Sequence, residues 1–299
     1  MYRIPIFLSS DNNYAPFVAT TIASICDNTK SFCDFYILDG GIEEENKEKI
    51  CLLKTLYNNF SIEFIQIDLE KEFEGFVVTS CITKSMYSRF LIPYLKPEIN
   101  KAIYSDIDVI VLGDISEMYN ENLSGYAIAA VPEAFGCNPL NKTMFGISDT
   151  HRYFSSGNLI IDCNLWRKNN IIQKIREIEK RYRNVLKFAD MEILNILFQD
   201  SYKELEPKYC YINQNYFFPD IPKDIFIRHY NGAIKPWHIN FDNNVINDVG
   251  LFWHYAKITM FYHELVDNCK NVDKNFILRQ LKVYEMVNKA QARKRLISG

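Results

Sequence analysis

Residues 4–26 read IPIFLSSDNNYAPFVATTIASIC, an apolar run followed by a polar loop and a second apolar segment. The run at 4–9 has the pattern of a buried strand, and the segment at 16–26 has apolar residues at helical spacing. The alternation continues with a strand at 34–38, a helix at 43–56 and a strand at 61–67. Because parallel strands need helical crossovers, this order predicts an α/β fold with a mostly parallel sheet. Ligands of such sheets bind beyond the carboxyl ends of the strands, which directs attention to the polar loop.

That loop lacks GxGxxG, which argues against a dinucleotide-dependent dehydrogenase. Beyond it we predict helices at 85–94, 171–186, 190–198 and 252–266, strands at 101–104, 109–112, 126–131, 159–162 and 225–229, and an ordered loop at 207–222. No repeat or flexible linker interrupts these segments, which indicates one catalytic domain over residues 1–270. Residues 271–299 form a basic helical tail in this interpretation. Such tails are typical of helices on anionic membrane surfaces, although a solvated helix explains the composition equally well.

The composition limits the class of function. The 299 residues are 48% hydrophobic and carry a net charge of −3, so no basic field favours nucleic acid as a partner. Eight cysteines without CxxC pairs fit a reducing cytosol, and from residues 1–8 and the lack of a long apolar run we expect neither secretion nor a membrane span. We expect a cytoplasmic protein that contacts the inner face of the membrane, if at all, through its tail.

Two carboxylates interrupt the strand pattern of residues 102–111, AIYSDIDVIV. In an extended chain, residues i and i+2 point to the same side, so Asp106 and Asp108 are expected to face one point. A hard cation, Mn²⁺ or alternatively Mg²⁺, would relieve their repulsion and bind diphosphate oxygens at its open positions. The alternative is a strand-end turn with two solvated aspartates.

A second polar segment, residues 228–238, reads RHYNGAIKPWH. We predict that His229, at the end of a short strand, is a third metal ligand. Gly232 permits close backbone approach, and Lys235 is suited to a phosphate as a point charge. A structural histidine and a surface lysine are the alternatives for the two side chains taken separately.

These motifs occur in an order that resembles glycosyltransferase family 8, whose members include bacterial lipopolysaccharide galactosyl- and glucosyltransferases and glycogenin. The resemblance extends over nearly the whole chain. It rests on FLSSDNNY at 7–14, YSRF at 87–90, YSDID at 104–108, FSSGNL at 154–159 and HYNGAIKPW at 229–237, which is similar to the family's HxxGxxKPW element. Residues 252–257, FWHYAK, resemble the element that follows it.

The resemblance implies a Rossmann-like GT-A fold, a uridine diphosphate (UDP) hexose donor, Mn²⁺ and transfer with retention of anomeric configuration. The hexose would be galactose or glucose, and the acceptor a glycan, glycolipid or glycoprotein. The metal ligands would be Asp106, Asp108 and His229. The implied donor-binding residues are Ser9, Asp11, Asn13, Tyr14, Arg89, Asp106, Ile107, Asp108, Ser155, Ser156, Asp190, His229, Gly232 and Lys235.

The catalytic residues implied by position are Asp190 and Met191, in a segment similar to the family's DQDxLN element. Met191 stands where the family has Gln, so a side-chain nucleophile is disfavoured and we predict front-face substitution, supported by Asp190 and the carbonyl of residue 191. Ser155 stands where the family often has Asn. These two departures motivate an alternative, a noncatalytic UDP-sugar-binding protein. A third hypothesis is a metal-dependent phosphatase with Asp106 as nucleophile.

Overall fold

The computed structural model describes residues 3–79, 83–133, 139–212, 224–232, 235–238 and 249–270. The strands are β1 (Arg3–Ser10), β2 (Phe32–Asp39), β3 (Phe60–Gln66), β4 (Lys101–Ser105), β5 (Val109–Val111), β6 (Ile128–Pro132), β7 (Phe154–Asp162), β8 (Lys203–Glu204), β9 (Tyr211–Ile212) and β10 (Ile227–His229). The helices are α1 (Ala15–Asn28), α2 (Glu44–Cys51), α3 (Leu69–Glu72), α4 (Ile92–Leu95), α5 (Ile115–Tyr119), α6 (Pro139–Phe145), α7 (Cys163–Lys168), α8 (Ile171–Tyr182), α9 (Ala189–Leu197), α10 (Val249–Ala256) and α11 (Tyr262–Lys270).

The central sheet has seven strands in the order β3-β2-β1-β4-β7-β6-β8. All neighbouring pairs are parallel except those made by β7, which runs antiparallel to β4 and to β6. The predicted mixed, mostly parallel sheet flanked by helices is therefore confirmed. Because β7 is reversed, its first residues lie at the same edge as the carboxyl ends of β1, β2, β4 and β6. Four loops and the start of β7 consequently meet at that edge.

A second, small sheet has the order β5-β10-β9. The strand predicted at 109–112 is present as β5, but the chain bends at residues 106–108, so β5 belongs to this small sheet and not to the central one. In the small sheet Val109 pairs with His229 and Val111 with Ile227. The bend thus connects the central sheet to the sheet that carries the histidine.

Each face of the central sheet is covered by its own apolar core. Along β1, Ile4, Ile6 and Leu8 belong to one core, and Phe7 belongs to the other, as the alternation of side chains along a strand requires. Helices α1, α10 and α11 and the small sheet pack on the first face, while α4, α7, α8 and α9 pack on the second. The arrangement has the three layers of an α/β domain.

Two predicted helices differ in detail. Residues 84–91 form a 3₁₀ helix before α4, rather than one α-helix over 85–94. Pro93 has no N–H to donate to the carbonyl of Arg89, and its ring would collide with that carbonyl in a continuous α-helix. The helix predicted at 252–266 is divided into α10 and α11, where the Thr259 hydroxyl accepts a hydrogen bond from the N–H of Phe261 (3.3 Å).

Other predictions fall partly outside the described residues. The tract at 207–222 contains a 3₁₀ turn and β9, and its residues from 213 onward are not described. The basic tail at 271–299 also lies outside, so its helical character stays a prediction. Among the helices that the structure describes, no segment is both long and apolar enough to cross a bilayer.

Candidate active site

The two acidic side chains of the DxD segment lie on the bend between β4 and β5, not on an extended strand. The N–H of Asp106 donates to the carbonyl of Gly157 (2.7 Å), and the carbonyl of Asp108 accepts from the N–H of Tyr230 (2.8 Å). The hydroxyl of Thr21, on α1, donates to the carbonyl of Ile107 (3.0 Å). The expected geometry of residues i and i+2 in a strand is therefore wrong. The carboxylates converge because three separate elements hold the bend.

His229, the last residue of β10, lies against both carboxylates. Its Nε2 is 3.1 Å from Oδ1 of Asp108 and 3.6 Å from Oδ2 of Asp106. One ligand atom from each of the three residues falls within 4.8 Å of the others. The two carboxylates and a histidine more than a hundred positions further along the chain thus face a common point.

The charges in this cluster are strongly coupled. Burial disfavours ionisation of Asp108, but the neighbouring Lys235 and His229 outweigh it and hold the pKa of that carboxyl well below its usual range. Burial alone would lower the pKa of His229, whereas the charge and hydrogen bond of Asp108 raise it to about 10. In the metal-free site, the imidazolium of His229 and the ammonium group of Lys235 therefore both contact the carboxylate of Asp108.

Lys235 takes part in the same cluster. Its Nζ lies 2.5 Å from Oδ2 of Asp108 and 2.8 Å from the carbonyl oxygen of Tyr230. The next helical turn is fixed by Trp237, whose ring stacks on that of Phe17 in α1 with 3.7 Å between centroids. The lysine thus occupies a defined position beside the carboxylate of Asp108.

Gly157 allows the cluster to close. A Cβ at this position would lie 2.7 Å from Oδ2 of Asp106 and 2.9 Å from Nδ1 of His229, and closer still to the imidazole Cε1. Side-chain atoms do not pack at such distances, so the residue is glycine for reasons of space. This requirement explains the glycine of the FSSGN segment at the start of β7.

Arg89 connects the DxD bend with α9. Its Nη2 donates to Oδ1 of Asp106 (3.0 Å), and its Nη1 donates to the carbonyl of Ser156 (2.6 Å). Nη1 also lies 3.0 Å from Oδ2 of Asp190, but off the N–H direction, so this contact is an ion pair rather than a hydrogen bond. The guanidinium stacks over the ring of Tyr104 at 4.3 Å. The predicted contact of this arginine with the donor stays a prediction; in the structure its buried guanidinium holds Asp106, Ser156 and Asp190 together.

Asp190 lies on the first turn of α9 and is almost fully buried. Burial raises the pKa of this carboxyl, although Arg89 and a hydrogen bond from the Ser156 side chain act in the opposite direction. The preceding Ala189 has φ of +42°, a left-handed conformation that costs free energy for a residue with a Cβ. The strain is held in place by the buried Glu192, whose Oε2 accepts from the backbone N–H groups of Lys187 and Phe188.

Met191 is the second predicted catalytic residue. Its side chain packs on the apolar core of the second sheet face. Its carbonyl oxygen accepts a hydrogen bond from Nδ2 of Asn195 (2.8 Å), and the same amide bonds both backbone groups of Phe154 (2.9 Å each). Asn195 therefore holds the carbonyl of residue 191 beside the start of β7.

The predicted uridine loop lies at the carboxyl end of β1. Ser9 donates to the carbonyl of Ser85 (3.0 Å), and Asp11 accepts from the N–H of Tyr14 (3.2 Å). Asn13 and the ring of Tyr14 are exposed, and that ring meets Phe17 edge-on. Phe17 also stacks on Trp237, so one aromatic row joins this loop to the segment of Lys235.

These observations can be compared with known proteins. The sequence profile of Glycosyl transferase family 8 matches residues 5–240. The chain belongs to glycosyltransferase family 8.

The chain is similar to bacterial proteins over most of its length. General stress protein A of Bacillus subtilis (strain 168) is 32% identical over 269 residues, which are 84% of this chain and 92% of that protein. A lipopolysaccharide 1,2-glucosyltransferase of Escherichia coli (strain K12) is 29% identical over 251 residues, 76% of this chain and 71% of that enzyme. The galactosyltransferase LgtC, solved in complex with donor and acceptor sugar analogues, matches with a TM-score of 0.77 and 25% identity, covering 86% of this chain and 96% of LgtC. The predicted GT-A fold is thereby confirmed.

The residues of this family 8 site fit a hard divalent cation. Two carboxylates and one imidazole offer oxygen and nitrogen ligands, a set that Mn²⁺ accepts. The carboxylates keep 25% and 15% of their side-chain surface exposed, so an ion has access to them.

Three residues of the site were missed from the sequence: Asn195, Cys210 and Glu133. Burial raises the pKa of Glu133, at the end of β6, to about 7, and the nearby His229 lowers it in part. A carboxylate directly after a buried strand was the available signal, the same one that identified Asp106. Asn195 ends the segment that is similar to the family's DQDxLN element, which was the available signal for it. Cys210 acts through tertiary contacts, for which the sequence offered no signal.

Proposed function

We propose that this glycosyltransferase moves a hexose from a UDP-sugar to a glycan, glycolipid or glycoprotein acceptor, with retention of anomeric configuration and with Mn²⁺ as cofactor. The observation that carries the proposal is the convergence of Asp106, Asp108 and His229 on one point beside Lys235. A diphosphate brought to that point would meet a cation site and an ammonium group together. The hexose is galactose or glucose, in keeping with the lipopolysaccharide glucosyltransferase and the galactosyltransferase among the relatives.

The site residues divide the work of binding. Asp106, Asp108 and His229 would hold Mn²⁺, which when bound stabilises negative charge on the leaving diphosphate as a Lewis acid. Lys235 would exchange its contact with Asp108 for a phosphate oxygen. Ser9, Asp11, Asn13 and Tyr14 would surround the uridine at the carboxyl end of β1, where ligands of such sheets bind.

The reaction breaks the bond between the anomeric carbon and the diphosphate oxygen, and forms a bond from the acceptor oxygen on the same face of the sugar. The acceptor hydroxyl proton passes to the departing phosphate oxygen. Asp190, held beside Arg89 on the first turn of α9, would lie near the cationic sugar and stabilise its charge.

A second candidate, a noncatalytic UDP-sugar-binding protein, is favoured by one specific observation: Met191 packs into the core and offers no side-chain group to the site. The phosphatase hypothesis is weaker, because Oδ1 of Asp106 is already hydrogen-bonded to Arg89 and to the hydroxyl of Tyr104 (2.7 Å). A carboxylate restrained in this way is a poor nucleophile.

The experiment is to incubate the protein with Mn²⁺ and a panel of UDP-sugars and to measure release of UDP, with Asp108→Asn as the test variant and Asp224→Asn as its matched control. Asp224 is exposed and precedes the opposite end of β10 from His229. We expect one UDP-hexose to be consumed by the wild type and the control but not by Asp108→Asn. Binding of UDP without consumption of any sugar would favour the second candidate, and full activity of Asp108→Asn would refute the metal site.

A membrane-adjacent location is part of the proposal and rests on the basic residues of the tail at 271–299. The test is co-sedimentation with liposomes containing anionic lipids. We expect binding to be lost when the residues after Phe276 are deleted. Equal binding by the truncated protein would refute this part of the proposal and leave the catalytic part intact.

A further inference from the structure

Cys210 is a buried thiol in direct contact with the imidazole of His229. It lies immediately before β9, which pairs in parallel with β10 so that Ile212 is opposite His229. Its Sγ is 3.5 Å from Nδ1 of the ring, within the range of a hydrogen bond to sulfur, and its side chain is 2% exposed. The thiol and the carboxylates thus contact different nitrogens of the same imidazole.

The two ring nitrogens have separate roles. Nε2 faces Asp108 and Asp106, so it is the atom that can bind a cation shared with those carboxylates. The nitrogen that does not bind the metal carries a proton, and its partner fixes both the tautomer and the orientation of the ring. In most metal sites that partner is a carboxylate or a carbonyl group; here Cys210 occupies the position.

The direction of this contact follows from the metal-bound state, because Nδ1 keeps its proton when Nε2 binds a cation. Nδ2 of Asn158 lies 3.5 Å from Sγ of Cys210, and Oγ of Ser155 lies 3.7 Å from it. With Ser155 as the acceptor of the thiol proton, the sulfur can accept the Nδ1 proton of His229.

We propose that Cys210 is a positioning residue, which accepts the Nδ1 proton of His229 and so presents Nε2 to the cation. This inference rests on the proposed function, since it assigns a role toward the Mn²⁺ that the reaction would use. Through Ser155, the same thiol connects the metal ligand to the N–H of Gly157, which donates to that hydroxyl (3.3 Å). The histidine and the start of β7 are therefore held by one sulfur atom.

Cys163 provides a matched comparison. It is as deeply buried as Cys210, but its Sγ packs in the second core. There it makes a weak contact, 3.9 Å long, with the carbonyl oxygen of Ile161. Replacing either thiol by alanine removes one sulfur from a packed interior. Only the change at Cys210 removes an acceptor from a metal ligand, so a general packing effect and a positioning effect can be separated.

The first measurement uses protein labelled with ¹⁵N-histidine, since the chain has only five histidines. The long-range ¹H–¹⁵N spectrum of the metal-free protein distinguishes Nδ1 from Nε2 of His229, and the resonances of this ring are assigned by their absence in His229→Asn. We expect the Nδ1 proton to be protected from exchange with water in the wild type, in Cys210→Ser and in Cys163→Ala. In Cys210→Ala we expect this proton to exchange with water. A proton that stayed protected in Cys210→Ala would overturn the inference.

The second measurement is Mn²⁺ affinity by electron paramagnetic resonance. Because sulfur is a weak acceptor, we expect Cys210→Ala to bind Mn²⁺ about tenfold more weakly, at the low end of the effects of such partners. Cys210→Ser should restore the affinity, and Cys163→Ala should leave it unchanged even if its melting temperature falls. Equal affinity of Cys210→Ala and the wild type would overturn this inference alone, whereas no Mn²⁺ binding by the wild type would overturn the proposed function as well.

Discussion

A methyl group on Gly157 would lie 2.9 Å from Nδ1 of His229, closer than packed atoms approach. Gly157→Ala should therefore displace the imidazole from the carboxylates. We expect Mn²⁺ affinity to fall by about tenfold to a hundredfold, as for other losses of ligand orientation, while overpacking costs about 1–3 kcal/mol of stability. Electron paramagnetic resonance and thermal unfolding measure the two effects.

Gly250→Ala is the control for that substitution. Gly250 lies in α10, and a Cβ there meets no atom within 4 Å. This alanine should leave Mn²⁺ binding unchanged and stabilise the helix slightly, because alanine is the better helix former. If Gly157→Ala bound Mn²⁺ as tightly as Gly250→Ala, the close approach of the imidazole would have no role in the metal site.

Lys235 neutralises Asp108 in the absence of ligands, so its removal should strengthen the binding of Mn²⁺ and weaken the binding of UDP. Lys235→Met is expected to bind Mn²⁺ more tightly when UDP is absent, because the ammonium no longer competes for Oδ2 of Asp108. Its affinity for UDP with Mn²⁺ present should fall by about tenfold to a hundredfold, the range of one hydrogen bond to a charged group. Calorimetry measures both. Lys257→Met, at an exposed lysine, is the control. If Lys235→Met bound both Mn²⁺ and UDP more weakly, the result would contradict this interpretation.

Binding of Mn²⁺ should depend on pH in a defined direction. Asp108 raises the pKa of His229 to about 10, so the imidazole is protonated at neutral pH and must release that proton to become a ligand. Affinity should therefore increase with pH, by about tenfold per unit between pH 6 and 9, for the release of one proton. Calorimetry in buffers of different ionisation enthalpy counts the protons. A pH-independent affinity would mean that His229 is not a ligand.

Asp190 should affect the chemical step more than the binding of metal. In Asp190→Asn, Arg89 keeps its hydrogen bond to Asp106, so the DxD bend should be preserved. We expect kcat to fall by about a hundredfold or more, as for other losses of transition-state electrostatics, with Mn²⁺ affinity unchanged. Met191→Leu, which keeps the volume of a side chain in the core, should retain activity. Wild-type kcat in Asp190→Asn would remove this carboxylate from the mechanism.

Much of the fold could be predicted because burial along strands such as β1 and β2 follows from residue type alone. The sheet to which β5 belongs could not be predicted. Its partner is β10, and the pairing of Val109 with His229 joins residues more than a hundred positions apart. A short apolar run indicates that a strand is buried, but it carries no information on which sheet accepts it. Helical spacing likewise predicted residues 85–94, whereas Pro93 decided where the α-helix begins.

The candidate site was predicted to the extent that its residues break a local pattern. Asp106 and Asp108 interrupt an apolar strand, and His229 ends one, so each attracted attention in the sequence. The convergence of their ligand atoms agrees with the predicted metal site, although a bend and not a strand brings the carboxylates together. Cys210 breaks no pattern, since a buried cysteine is ordinary core material until its contact with an imidazole is known.

The most direct test of the shared metal site is the equilibrium affinity for UDP, measured by calorimetry with and without Mn²⁺. We expect the wild-type protein to bind UDP tightly only when Mn²⁺ is present, and Asp108→Asn to lose that dependence together with the affinity. Equal affinity with and without the ion, or unchanged Mn²⁺-dependent binding by Asp108→Asn, would contradict a cation held between the DxD bend, His229 and the diphosphate.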